Sequence, residues 1–313
     1  MIAANLGLLV TMVAWGSLIP VLNHLLPTWD PYFLSAARYA LAAPIFILLL
    51  LVLEPRSRAV RAVASWRVWL LGAVGIGVFA PLYTAGIALA NPVTAAILSA
   101  TGPVVAALVA WAAYRVPFDR GLTPAILLTV AGGVLATYRP SAAGPGFELR
   151  GGEALILLAS ACWSWYSMAA QRWLQGYSQL RITGMTMLPG TVVAAGIYLL
   201  AAAVGAADLP PALPVRGLDL GLFAWMAAGP VVAGVFLWNY GVRMLGVVVA
   251  SVFLNLAPVV AISITAALGT WPTAPQLVGG ALVLGGGLAA QRRGRAAPAS
   301  PRRAAADREP PAC

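Results

Sequence analysis

Apolar residues run along this chain in long uninterrupted blocks, not in the alternation of a half-buried strand or the stripe of an amphipathic helix. A helix needs about 20 consecutive apolar residues to cross a bilayer. Ten blocks have that character: residues 4–22, 32–53, 68–90, 94–114, 121–138, 152–171, 182–204, 218–241, 247–268 and 274–291. Charged residues gather in the connectors, which are too short to hold a separate soluble domain. The pattern predicts an all-α membrane protein of ten transmembrane helices. The first block follows no basic segment and precedes no small-residue cleavage site, so it reads as a retained helix, not a signal peptide.

The blocks also repeat. At a constant offset of 155, residues 93–109 match 248–264 at six of seventeen positions, among them Pro103 with Pro258 and Val104 with Val259. The same offset pairs Gly86 with Gly241. Trp15-Gly16-Ser17 corresponds to Trp163-Ser164-Trp165, Pro44 to Pro189, and Gly132-Gly133 to Gly285-Gly286, in the same order along both halves. Five helices per half is an odd number, so the second half enters the membrane from the opposite side. The expected organisation is two inverted five-helix repeats, 1–140 and 141–291, followed by a disordered basic tail at 292–313. Inverted repeats are the architecture of many secondary transporters, with the substrate held near the midplane between the halves.

Composition agrees. The 313 residues are 61% hydrophobic and 9% charged, with a mean hydropathy of +0.88, whereas soluble domains carry about 25% charged residues. The net charge of +10 does not point to nucleic acid, because the arginines are spread over connectors and the tail. With the N-terminus inside, twelve of them (Arg56, Arg58, Arg61, Arg67, Arg115, Arg120, Arg172, Arg181, Arg243, Arg292, Arg293 and Arg295) fall on the cytoplasmic side. Three (Arg139, Arg150 and Arg216) fall opposite, so both termini are expected in the cytoplasm.

Ten helices in two inverted halves, with the small-residue segments Asn91–Val105 and Gly246–Val260, resemble the drug/metabolite transporter superfamily, and most closely its EamA-type branch. The aromatic residues at the helix centres resemble those of the bacterial YddG-type exporters of aromatic amino acids. The resemblance covers residues 4–291. It implies a central cavity, alternating access, export from the cytoplasm, and residence in the bacterial inner membrane.

Candidate substrate-binding residues are the polar and aromatic groups at membrane depth. Trp15 and Trp163 each lie about eleven residues into their blocks, away from the interfacial belt that tryptophan prefers. Phe79 and Tyr83 are four residues apart and share a helix face. Trp238, Asn239, Ser99, Ser251 and Asn255 complete the set. Such groups face the bundle interior, where they line a cavity or bond neighbouring helices; for each serine the interhelical bond is the better reading. An aromatic pocket with amides and hydroxyls suits a flat zwitterion. Pro20, Pro81, Pro103, Pro189, Pro230 and Pro258 are candidate kinks. Arg38 is the one charge inside a block, read as snorkelling to the surface or pairing with Asp30 rather than binding a carboxylate.

No acid lies near the centre of any block, which favours a facilitator over a carrier coupled to protons through a buried carboxylate. The single histidine, His24, excludes H-E-x-x-H metal chemistry, so no enzyme, metal or cofactor is expected. A channel would carry rings of like charge or a repeated filter loop. The open alternatives are carriers of other amino acids, drugs or metabolites, possible proton coupling included, with a membrane-embedded enzyme a distant one. A monomer in the lipid bilayer is compatible with the sequence. In a background without Cys162 and Cys313, Arg216→Cys in intact cells should react with a membrane-impermeant maleimide and Arg120→Cys should not; the reverse result would invert the orientation.

Overall fold

The computed structural model describes residues 1–53, 65–117, 120–141, 144–210, 216–245 and 247–296. Among the described residues the regular structure is helical apart from one ribbon. In order come α1 (Ile2–Leu25), α2 (Pro31–Leu53), α3 (Trp66–Leu89), α4 (Pro92–Ser99), α5 (Gly102–Tyr114) and α6 (Thr123–Thr137). The antiparallel strands β1 (Tyr138–Ser141) and β2 (Gly144–Phe147) follow. Then come α7 (Gly152–Trp173), α8 (Gln179–Ala203), α9 (Gly217–Leu245), α10 (Val247–Phe253), α11 (Leu256–Ala267) and α12 (Ala274–Ala296).

Helix covers each of the ten blocks, yet fewer meet the requirements for a span by themselves. Among the described residues six do (α1, α2, α3, α6 with its leading turn from Arg120, α8 and α9), and α4 with α5 makes a seventh if that pair, bent by 52°, is one crossing. α7 and α12 are long enough, but Glu153 and several Ser, Trp and Tyr dilute the first, and Gln276, Gln291 and glycines the second. The tail also differs from expectation. α12 continues through Arg292, Arg293 and Arg295, where cations complement the negative end of the helix dipole. Residues 297–313 and the connector holding Arg56, Arg58 and Arg61 lie outside the described residues.

Two predicted continuous helices are broken, and proline supplies the reason. A proline lacks the N–H that would bond the carbonyl four residues earlier, and its ring crowds that carbonyl. Pro103 points back to Ser99, where α4 ends; Pro258 points back to Leu254, just beyond the end of α10. Two further prolines accompany π turns, a one-residue widening of the helix. Pro81 follows the π turn Ala73–Val78 in α3, and Pro230 sits inside the π turn Ala227–Ala233 in α9. Both kinds of irregularity recur, within a residue, at the 155-residue offset found in the sequence. Pro20, Pro44 and Pro189 lie inside uninterrupted helices.

Without a hydrophobic drive between helices in lipid, small residues let backbones meet and dispersion does the rest. A Cβ on Gly132 of α6 would fall 2.5 Å from the Gly279 carbonyl oxygen of α12, and one on Gly279 would fall 2.6 Å from that of Gly132. Likewise Gly72 of α3 faces Thr186 O at 2.5 Å, and Gly16 of α1 faces Ala257 O at 2.6 Å. Fully buried Gln276 adds a polar knot, its Nε2 donating to Asn91 Oδ1 (3.1 Å) and Thr94 Oγ1 (3.3 Å). Asn91 Oδ1 also accepts from Val93 N and so caps α4. A leucine at Gly132 or Gly279 is expected to cost about 1–3 kcal/mol through overpacking. Gly285→Leu, whose Cβ meets open space, should be neutral; thermal unfolding of the purified protein in detergent checks the contrast.

Candidate functional site

Two groups of aromatic side chains form where α1 meets α9 and where α3 meets α7. In the first, the rings of Trp15 and Trp238 lie 5.5 Å apart. The Trp15 indole donates to the Pro230 carbonyl at 2.9 Å, a group inside the π turn, where the regular ladder is interrupted. Gly234 leaves room for this indole: a Cβ there would meet Trp15 Nε1 at 2.6 Å. Two residues on, Ser17 Oγ accepts from Trp225 Nε1 at 3.0 Å. The indole donors of Trp15 and Trp225 are thus used, while that of Trp238 has no partner among the described residues.

The second group is a ladder. Tyr83 stacks on Phe79 at 5.5 Å with planes 17° apart, Phe79 meets Trp163 at 5.4 Å, and Trp163 meets Tyr166 at 5.3 Å. Spacing of four on α3 and three on α7 puts the rings on facing helix surfaces. Both phenols are held: Tyr83 Oη lies 3.1 Å from Ser99 Oγ, and Tyr166 Oη lies 3.1 Å from Thr186 Oγ1. Ser99 in turn donates to Ala95 O within α4. Trp163 differs from Trp15, since 44% of it is exposed and no described residue accepts its indole N–H. Such a group offers a ring edge and a donor to whatever enters beside it.

Of the residues expected from sequence, the structure thus joins Phe79, Tyr83, Ser99 and Trp163 in one ladder and Trp15 with Trp238 in another pair. Phe79 also packs against the cluster of Tyr39, Phe46, Ala80 and Val231, which Val235 of α9 joins. The remaining candidates join neither group. Asn255 precedes α11 at the break and donates to Val252 O at 3.1 Å. Asn239 Nδ2 is buried without a partner. The side chain of Ser251 lies outside the described residues. Sequence reading missed Tyr166, although its distance of three from Trp163 was visible.

It also misjudged Arg38. The side chain neither snorkels nor pairs with Asp30: it is 1% exposed, hence facing neither lipid nor water. Asp30 is engaged elsewhere, its Oδ1 accepting from Tyr32 N (2.8 Å) and Phe33 N (3.0 Å) to cap α2, and its Oδ2 accepting from Asp208 N.

The EamA-like transporter family model matches residues 2–138 and 150–289. Two Bacillus subtilis proteins are similar along most of their length. The uncharacterized transporter YyaM is 26% identical over 289 residues (88% of this chain, 89% of the relative), and the uncharacterized transporter YrdR is 26% identical over 285 residues (88% and 87%). A crystal structure of a protein 21% identical superposes with a TM-score of 0.62, covering 95% of this chain and 99% of that one, so the fold is shared.

The two central tryptophans should respond differently to replacement. Trp15→Phe removes the bond to the Pro230 carbonyl and is expected to cost about 0.6–1.7 kcal/mol, from the average to the largest value for interhelical hydrogen bonds in membrane proteins. Trp163→Phe removes a donor with no partner and should leave the melting temperature unchanged. Thermal unfolding of both variants beside the wild type reads the difference.

Proposed function

This chain belongs to the EamA-like transporter family, a multi-pass membrane transporter, and we propose that it carries aromatic amino acids out of the cytoplasm by alternating access. The observation that carries the reading is the Tyr83–Phe79–Trp163 ladder, with its open indole and its Ser99-bound phenol. A substrate ring beside Phe79 and Trp163 gains offset or edge-to-face contact of about 0.5–1.5 kcal/mol beyond its area burial. Neighbouring hydroxyls and backbone carbonyls freed at the π turns and helix breaks suit its polar end.

In this reading the ten helices form two inverted five-helix repeats, residues 1–140 and 141–291. Two family-model matches and two pairs of matched irregularities support it. The α1–α9 and α3–α7 aromatic groups are then the corresponding interfaces, and the halves rock about a midplane site between them. The π turns are the natural places for that motion, because they already lack regular bonding. No acid sits at mid-helix among the described spans, which favours facilitated diffusion down the substrate gradient. The protein resides in the bacterial inner membrane with both termini cytoplasmic.

Counterflow of radiolabelled Trp, Phe, Leu and norfloxacin in proteoliposomes tests this. Trp and Phe should accumulate, independently of a proton gradient, and Trp163→Ala should reduce that uptake about tenfold, the effect of losing one such ring contact. Equal exchange of Leu, or exchange of norfloxacin alone, would replace the substrate class; silence on all four with a folded protein would overturn the function.

A further inference from the structure

Arg38 is a fixed positive charge in the interior of the bundle. It sits seven residues beyond the start of α2, about 10 Å along the helix. Arginine stays protonated in proteins, so burial cannot neutralise it as it would a lysine. A buried charge is expensive unless paired and hydrogen-bonded. Yet Nε and Nη1 are buried without partners, and no described residue makes a hydrogen bond or ion pair to the guanidinium. What it has is the face of its neighbour Tyr39, whose ring centroid lies 4.9 Å from Cζ. A cation–π contact leaves the in-plane N–H groups free.

Its surroundings connect it to the aromatic ladder. Ser35, one turn earlier, lies with its hydroxyl 3.1 Å from Ala80 O, seating α2 on α3 beside Phe79. Tyr39 packs with Ile76 and Ala80, and Phe79 packs against the same cluster. Leu34, on the same face of α2 as Arg38, belongs to the cluster on which Tyr83 packs. The Tyr83 phenol is itself bound to Ser99.

We propose that Arg38 binds the carboxylate of the transported substrate, its planar fork taking the two carboxylate oxygens while the substrate side chain lies along Phe79 and Trp163. The proposal rests on the transport reading above and adds to it the requirement for an anionic group. Guanidinium and carboxylate match in a bidentate geometry. Among the described acids none contacts Arg38: Asp30 caps α2, Glu153 accepts from Arg150 N at 3.2 Å, and Asp219 lies 3.1 Å from His24. The missing countercharge is therefore brought by the ligand.

Substrate-induced thermal shift and counterflow, on wild type, Arg38→Met and Arg38→Lys, test it with tryptophan, tryptophan amide, tryptamine and leucine. In the wild type, the amide and tryptamine should bind about 10- to 100-fold more weakly than tryptophan, the loss of charge-assisted hydrogen bonds. Arg38→Met should bring tryptophan down to the level of the amide and leave the amide unchanged. Arg38→Lys should fall between, keeping the charge and losing the fork. The empty Arg38→Met protein should melt no lower than the wild type, because an unpaired buried charge is replaced by apolar surface. Leucine behaving like tryptophan, with the same dependence on Arg38, would sustain this proposal while removing the aromatic selectivity. Equal binding of tryptophan and its amide by the wild type overturns the proposal, with or without a folded variant. So does an equal drop of both ligands in Arg38→Met, or no binding by any carboxylate.

Discussion

In hydrocarbon no water is at hand for a backbone carbonyl or a side-chain donor, so each such group must be satisfied within the protein. Much of this bundle follows from that constraint. Within the π turn of α9, the Pro230 carbonyl accepts from the indole of Trp15, which crosses from α1. Where α4 begins, Asn91 covers the first N–H groups and Gln276 arrives from α12 to bind both Asn91 and Thr94. Thr94 reaches on to Ala136 O of α6. The π turn of α9 and the start of α4 are thus tied by polar contacts to helices distant in sequence.

Elsewhere, packing is carried by absence of bulk. The α6–α12 pair closes through Gly132 and Gly279, whose backbones approach too nearly for any side chain, while Gly285 on the same helix faces open space. Two kinds of glycine therefore occupy α12, and only their neighbours distinguish them. The same holds for the tryptophans: Trp15 is seated over Gly234 with its donor used, and Trp163 is exposed with its donor free.

The helices were legible in the sequence because apolar length is a one-dimensional property. The prolines were legible as candidates, but which of them bends a helix was not. Pro189 lies in an unbroken α8, while Pro258 follows the break between α10 and α11. The Gly/Pro-rich stretch after Tyr138 read as a connector and forms a ribbon instead, paired from Tyr138↔Phe147 to Ser141↔Gly144. Phe79 and Tyr83 could be placed on one face by spacing alone, and their meeting with Trp163 required the packing of α3 on α7. Arg38 misled because Asp30 stands nearby in sequence; eight residues on a helix separate them by about 12 Å, and Asp30 is engaged as a cap.

In the proposed reading, a site between two inverted halves faces a difficulty: related halves present related surfaces, whereas an amino acid has unlike ends. The departures from the repeat are thus the informative positions. At the 155-residue offset Tyr83 corresponds to Trp238, so an aromatic ring is kept in both halves, but Phe79 corresponds to Gly234. That exchange puts a ring beside Trp163 in one place and leaves room for the Trp15 indole in the other. By the register of Pro44 and Pro189, Arg38 corresponds to Thr183, whose hydroxyl donates to Gln179 O in its own helix. The first half therefore holds the unpaired cation, while the ladder takes Phe79 and Tyr83 from the first half and Trp163 and Tyr166 from the second. In the proposed reading the charge thus comes from one repeat, whereas the aromatic surface is shared by both.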